Sequence, residues 1–166
     1  MNTIQRLAVA ATLGLSAAGA MATTYAIGPL PIAPSSYTQV ATEGVLTSFT
    51  DKYTFTLAAS ETVYGAVSSV DLPPLFNVGA LTLTLWNGTG STLLATGTGS
   101  GEDSTIANVL LGPGSYFFSV AGTSSGSSGG FTAFVASATP VPEPGTYALM
   151  LAGVAVIGFV ALRRRD

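Results

Sequence analysis

Between Phe49 and Leu57 the chain alternates without a break. Phe49, Asp51, Tyr53, Phe55 and Leu57 fall on one face, and Thr50, Lys52, Thr54 and Thr56 on the other. A period of two belongs to a β-strand with one face on a core and one in water. The pattern returns at Leu81, Leu83 and Leu85, which alternate with Thr82, Thr84 and Trp86. Asn87-Gly88-Thr89-Gly90 then reads as a turn, and Ser91 to Gly97 as the second arm of a hairpin. Further strands are expected at Tyr37 to Thr47, Thr62 to Val70, Thr105 to Leu111, Ser115 to Ala121 and Phe131 to Ser137. Gly112-Pro113-Gly114 is a turn signal, and Gly122 to Gly130 a flexible loop. Seven or eight short strands without an amphipathic helix predict an all-β domain: an antiparallel β-sandwich with jelly-roll or Greek-key connections.

This domain is expected to span residues 23–139, enough for one sandwich core. Ser and Thr supply 35 of its 117 residues, so hydroxyls rather than charges keep it in solution. Against one lysine, Lys52, stand six acids: Glu43, Asp51, Glu61, Asp71, Glu102 and Asp103. A stretch this acidic, with no arginine, does not hold a phosphate backbone, which excludes nucleic acid as a partner. The chain has no Cys and no His. Disulfides, Cys nucleophiles, thiolate metal sites and the Ser-His triad are excluded with them. Lys52 lies on the polar face of its strand and in no Ser-x-x-Lys motif, so a Ser-Lys dyad is excluded too.

Both ends follow a different grammar. Met1 to Arg6 is a short stretch with one positive charge, Leu7 to Ala20 is small and apolar, and Ala20-Met21-Ala22 satisfies the small-x-small rule of signal peptidase. Residues 1–22 therefore read as a signal helix, with cleavage before Thr23 and Ser16-Ala17-Ala18 as a second possible site. The partners implied are the Sec translocon and signal peptidase. At the other end, Tyr147 to Leu162 has no charged residue and Arg163, Arg164 and Arg165 follow at once. Sixteen helical residues rise about 24 Å, a little less than a hydrocarbon core. The expectation is a single transmembrane helix over 147–162, with the arginines held in the cytoplasm and the main domain outside.

Ahead of that helix stands Val141-Pro142-Glu143-Pro144, two prolines around a carboxylate, read as a stiff, extended, exposed segment. A Pro-Glu-Pro, a short apolar helix and an arginine cluster, in that order, resemble the PEP-CTERM sorting signal of Gram-negative bacteria. The resemblance covers residues 141–166, within a sorting segment of 140–166. It implies an exosortase, a membrane transpeptidase-like enzyme, as partner, with removal of the tail after a transient stay in the inner membrane. It also implies a host that makes exopolysaccharide. Phe49-Thr50-Asp51-Lys52-Tyr53-Thr54-Phe55 resembles the motif of PEP-CTERM proteins named for Phe-x-Asp-x-Phe. The wider plan is similar to bacterial pre-peptidase C-terminal domains, through Asp51 to Phe55, Leu83 to Gly88, Gly112 to Tyr116 and Gly130 to Val135. Those are accessory β-sandwiches, so the resemblance implies no catalytic residues.

Few residues remain as candidates for chemistry. Alternation puts Asp51 among the apolar side chains, where a carboxylate must be hydrogen-bonded or paired. One reading has it accept backbone N–H groups and fix the start of the sandwich. The other has Asp51, Asp71, Glu102 and Asp103 ligate calcium, although none sits in an Asp-x-Asp-x-Asp-Gly loop. No other cofactor is expected. Trp86 is out of phase with the leucines of its strand, which points it outwards as a carbohydrate contact or as a ring covering a sheet edge. Asn87-Gly88-Thr89 matches a glycosylation sequon, but its turn explains it. The expected function is that of an exported non-catalytic protein of the cell envelope or matrix, bound for the surface and associated with exopolysaccharide and biofilm. The alternatives are a lectin-like module resting on Trp86, and a polysaccharide-active enzyme using two of the six acids.

Overall fold

The computed structural model describes residues 21–45, 47–141 and 144–163. Of the expected signal helix over residues 1–22, residues 1–20 lie outside them, and Met21 is extended rather than helical, bridging Phe49 at the edge of the sandwich. Nine strands and one helix follow in chain order: β1 (Thr24–Pro29), β2 (Tyr37–Glu43), β3 (Ser48–Leu57), β4 (Glu61–Val70), β5 (Val78–Asn87), β6 (Leu93–Thr96), β7 (Asp103–Leu111), β8 (Gly114–Ser124), β9 (Gly130–Pro140) and α1 (Pro144–Arg163). They form a sandwich of a five-stranded sheet, β1-β3-β8-β5-β6, and a four-stranded sheet, β2-β9-β4-β7.

One long hairpin, rolled up, accounts for most of this order. Its tip is β5–β6, and outward from there β4 pairs with β7, β3 with β8 and β2 with β9, all antiparallel. Tyr37 faces Ala136, Ser48 faces Thr123 and Ser68 faces Asp103, so the two arms keep nearly one register as they cross between sheets. The pairs β4–β9 and β5–β8 close each sheet. Nested pairing of this kind is the double Greek key of a jelly roll.

One strand departs from the expected pattern. β1 was not anticipated, and it runs parallel to β3, so the larger sheet is mixed rather than purely antiparallel. Its six residues are too few and too interrupted by Gly28 and Pro29 to show a period, but they cover the otherwise open edge of β3. Elsewhere the boundaries move. β2 stops at Glu43, where Thr47 Oγ1 bonds back to the Gly44 carbonyl and turns the chain. β6 holds only Leu93–Thr96, and β8 runs on to Ser124, which shortens the expected Gly122 to Gly130 loop.

The core follows from the alternation. Phe49, Tyr53, Phe55 and Leu57 of β3 are buried, as are Leu81, Leu83 and Leu85 of β5, and Val63 and Val67 of β4. Gly65 makes room for a ring: a Cβ there would lie 2.7 Å from Phe118 Cε1. In β7 the left-handed Asn108 (φ 59°) shifts the inward phase, so that both Ile106 and Leu111 reach the core. Tyr53 stacks between Tyr25 (4.8 Å between centroids) and Phe134 (4.1 Å), which joins the two sheets through aromatic faces.

Candidate functional site

Asp51 sits in the fourth position of β3 and is 3 % exposed; Glu43, the last residue of β2, is 4 % exposed. The two carboxyl groups come from opposite sheets, and their charges act on each other and on Tyr25 and Tyr53. Asp51 Oδ1 accepts the Thr23 backbone N–H at 3.1 Å, and Glu43 Oε1 accepts the Thr132 hydroxyl at 3.1 Å. Burial pushes the Glu43 carboxyl up to about 7; the Asp51 charge adds to this and the Thr132 hydroxyl opposes it. Burial also raises Asp51, against the Thr23 N–H. The Tyr53 hydroxyl, fully buried beside them, has no hydrogen-bond partner, and burial pushes its titration far above the ordinary range. No cation acts on either acid among the described residues. Lys52 points to the other face of the sheet, with Nζ 3.9 Å from the centre of the Phe117 ring.

The remaining acids do not join Asp51. Asp71 accepts from the Val78 N–H and the Ser69 hydroxyl, and Asp103 accepts from the Ser100 N–H and hydroxyl. Glu102 offers its backbone carbonyl to the Ser69 N–H. Among the described residues no three acids cluster as a metal site. Asp51, Asp71 and Asp103 are thus engaged in separate strand and turn contacts, and Glu102 through its backbone.

Trp86 lies on the outer face of the five-stranded sheet, half-buried rather than free. Its ring is parallel to Phe117 (interplanar 7°, centroids 6.4 Å apart) and its Nε1 donates to Thr84 Oγ1 at 3.0 Å. Phe117 was not anticipated. The signal was the adjacent pair Phe117-Phe118: in a strand two successive rings point to opposite faces, so one of them must face out. Beside Phe117 a shallow groove of about 290 Å³ runs past Ala26, Thr54, Gly88, Ser115 and Tyr116. No acid lines it, so the carboxylate pair that a glycosidase needs across a cleft is not placed there. Glu43 was likewise missed, although Ala41 and Glu43 share the inward parity of β2.

At the far end β9 closes on Pro140, and the Val141 N–H reaches the Ser60 carbonyl at 3.4 Å. Pro142, Glu143, Arg164 and Arg165, like Ala20, lie outside the described residues. Pro144 is helical rather than extended: α1 starts there, three residues before the expected start, because proline suits a first helical turn. α1 ends at Arg163. Its large apolar side chains face solvent, Leu149 at 76 % and Ile157 at 70 % exposure. Among the described residues no helix is long and apolar enough to cross a membrane.

Two solved structures resemble the sandwich. The pre-peptidase C-terminal domain of a collagenase from Bacillus anthracis is 20% identical, with a TM-score of 0.42, covering 73% of this chain and 97% of that one. PliG of Aeromonas hydrophila, a periplasmic inhibitor of g-type lysozyme, is 13% identical, with a TM-score of 0.39, covering 71% of this chain and 99% of its own. No curated protein matches the sequence. Residues 140–165 match the family described as the PEP-CTERM protein-sorting motif, so the chain carries that sorting motif directly behind its last strand.

Proposed function

We propose that this is an exported, non-catalytic β-sandwich protein of the cell envelope or extracellular matrix, delivered by an exosortase. The observation that carries the reading is the sorting motif at residues 140–165, placed immediately after β9. In this reading residues 1–22 are a signal peptide and α1 is a temporary membrane segment. Apolar side chains exposed all round a helix are unfavourable in water, each worth about 1.5–3 kcal/mol when buried. They are tolerable in lipid or after removal. Its uncharged part, Pro144 to Leu162, rises about 28 Å, slightly less than a hydrocarbon core of about 30 Å. Arg163, Arg164 and Arg165 hold the cytoplasmic side. The Pro-Glu-Pro segment then meets the exosortase at the outer surface of the inner membrane.

Substituting Glu143 by Ala tests this in a host with an exosortase. The expected outcome is full-length protein accumulating in the inner membrane, with less at the surface. Wild-type surface protein that still carries residues 147–166 would refute the reading. A second role is favoured by the outward, half-buried Trp86, which stacks on the buried Phe117 lining the adjacent groove: a carbohydrate contact for the host's exopolysaccharide, since a flat aromatic face suits sugar rings. Pull-down of the protein on that polysaccharide, with and without calcium, tests it; equal retention of wild type and Trp86→Ala refutes it.

A further inference from the structure

Two buried carboxylates, Asp51 and Glu43, lie on opposite sheets, close enough for the Asp51 charge to act on Glu43, with no cation acting on either among the described residues, and the buried Tyr53 hydroxyl lacks a partner. Such an arrangement is costly unless the acids take up protons or a positive charge arrives. The atom already bonded to Asp51 is the backbone nitrogen of Thr23, 3.1 Å from Oδ1. Thr23 is also the residue that follows Ala20-Met21-Ala22, the small-x-small signal. We propose that removal of the signal peptide creates the missing cation: the new α-ammonium of Thr23 forms an ion pair with Asp51 and locks β1 onto the sandwich.

The chemistry balances with water alone. Hydrolysis of the Ala22–Thr23 bond adds one water, leaving a carboxylate on Ala22 and an amine on Thr23 that takes up the proton. The nitrogen keeps its place because the Lys52 N–H holds the Thr23 carbonyl at 2.8 Å. Before cleavage it offers Asp51 one neutral N–H; afterwards it offers a full charge and three N–H groups. Charge-assisted bonds of this kind are roughly twice as strong as neutral ones. Thr23 is exposed, so the remaining N–H groups can still meet water and the ammonium is not fully desolvated. Cleavage also gives something up. Met21 bonds to Ser48 and Thr50 across the sheet edge, and these contacts leave with the signal peptide. The ion pair therefore replaces two strand contacts with one charged one, and Asp51 becomes a reader of correct processing.

The proposal rests on export through signal peptidase, and the experiment separates the two. Exported protein is sequenced from its N-terminus, then trace-labelled with acetic anhydride near pH 7, native and in urea. Lys52 is the chain's one side-chain amine and serves as the internal reference. The expected result is a Thr23 terminus labelled about tenfold more slowly in the native state, as a one-unit rise in amine pKa requires. Asp51→Asn should abolish that protection. If this variant does not fold, NMR titration of the wild-type α-amine serves instead, expected about one unit above its ordinary 7.7–8.0. A chain beginning at Met1 overturns the signal-peptidase premise. A first residue such as Met21 overturns the cleavage assignment. A Thr23 amine that labels equally in both states, or titrates in its ordinary range, overturns the ion pair alone.

Discussion

Glu43→Gln should stabilise the protein at neutral and alkaline pH and change little in acid. The carboxyl rises from an ordinary 4.5 to about 7 in the folded chain, chiefly through burial. Its folded pKa is above the unfolded one, so the folded state holds the proton more tightly. Stability is then full below about pH 4.5, falls as pH rises to about 7 and is level beyond. A shift of that size corresponds to about 3 kcal/mol. The ammonium proposed at Thr23 would offset the Asp51 contribution but not the burial, which brackets the effect at about 1–3 kcal/mol. Glutamine keeps an acceptor for the Thr132 hydroxyl, now 3.1 Å from Glu43 Oε1, and removes only the charge. Urea unfolding of both proteins at pH 4, 5.5, 7 and 8 reads the difference directly. The expected gap is near zero at pH 4 and grows to its full value by pH 8. A gap independent of pH, or a variant less stable at pH 8, would refute the burial argument, because Glu43 would then be ionised and satisfied in the fold.

Three other substitutions test separate parts. Asp51→Ala should cost about 1–3 kcal/mol, because it removes the carboxylate that accepts the Thr23 N–H, and if that bond is the role of Asp51, wild-type melting should be the same with a chelator; calorimetry with and without EDTA checks both. Gly65→Ala should cost about 1–3 kcal/mol by overpacking, since its Cβ would come within 2.7 Å of the buried Phe118 ring; a urea midpoint equal to wild type would show that the ring can yield. Trp86→Ala should cost about 0.5–1.5 kcal/mol from the lost stack on Phe117, with the β-sheet circular dichroism unchanged.

The strands with unbroken alternation were legible because burial has the same period as the side chains. β3 and β5 could be read from their odd positions, and both place those positions in the core. β1 was not legible, because what fixes it is the unpaired edge of β3, a property of another part of the chain. Asp51 stood out as polar at an apolar position, whereas its partner Glu43 did not. Tyr37 to Glu43 has only two fully buried positions, both at its end, so its period is faint. Phe117 shows the reverse case. An outward ring is buried under Trp86 and Lys52, and no periodicity marks a cover supplied by neighbouring strands.

The strand directions add a further step to the delivery proposal. β1 starts where Thr24 faces Lys52 and runs towards Pro29, opposite Thr56, while β9 ends at Pro140, opposite Glu61. The β3–β4 turn between Leu57 and Glu61 therefore sits at the end of the sandwich from which the tail leaves. The β5–β6 hairpin at Asn87 and the β7–β8 turn at Gly112 lie at that same end, since Leu57 faces Gly114 and Asn87 faces Tyr116. The loops after β2, β4, β6 and β8 lie at the opposite end, where Glu43 faces Gly130 and Ser68 faces Asp103. In the delivery proposal, with α1 held at a membrane, the tight turns lie at the end nearer the tail and the longer loops at the end away from it. Leu72 and Leu75, 60 % and 53 % exposed in the β4–β5 loop, are then carried at the distal end. The acid pair and the proposed new terminus lie towards that end too, since Asp51 precedes the Lys52 that faces Thr24 and Glu43 closes β2. The two proposed processing sites are thus separated on the sandwich: the tail leaves at one end, and Thr23 lies beside Asp51, the fourth of ten residues in β3 and nearer the other end.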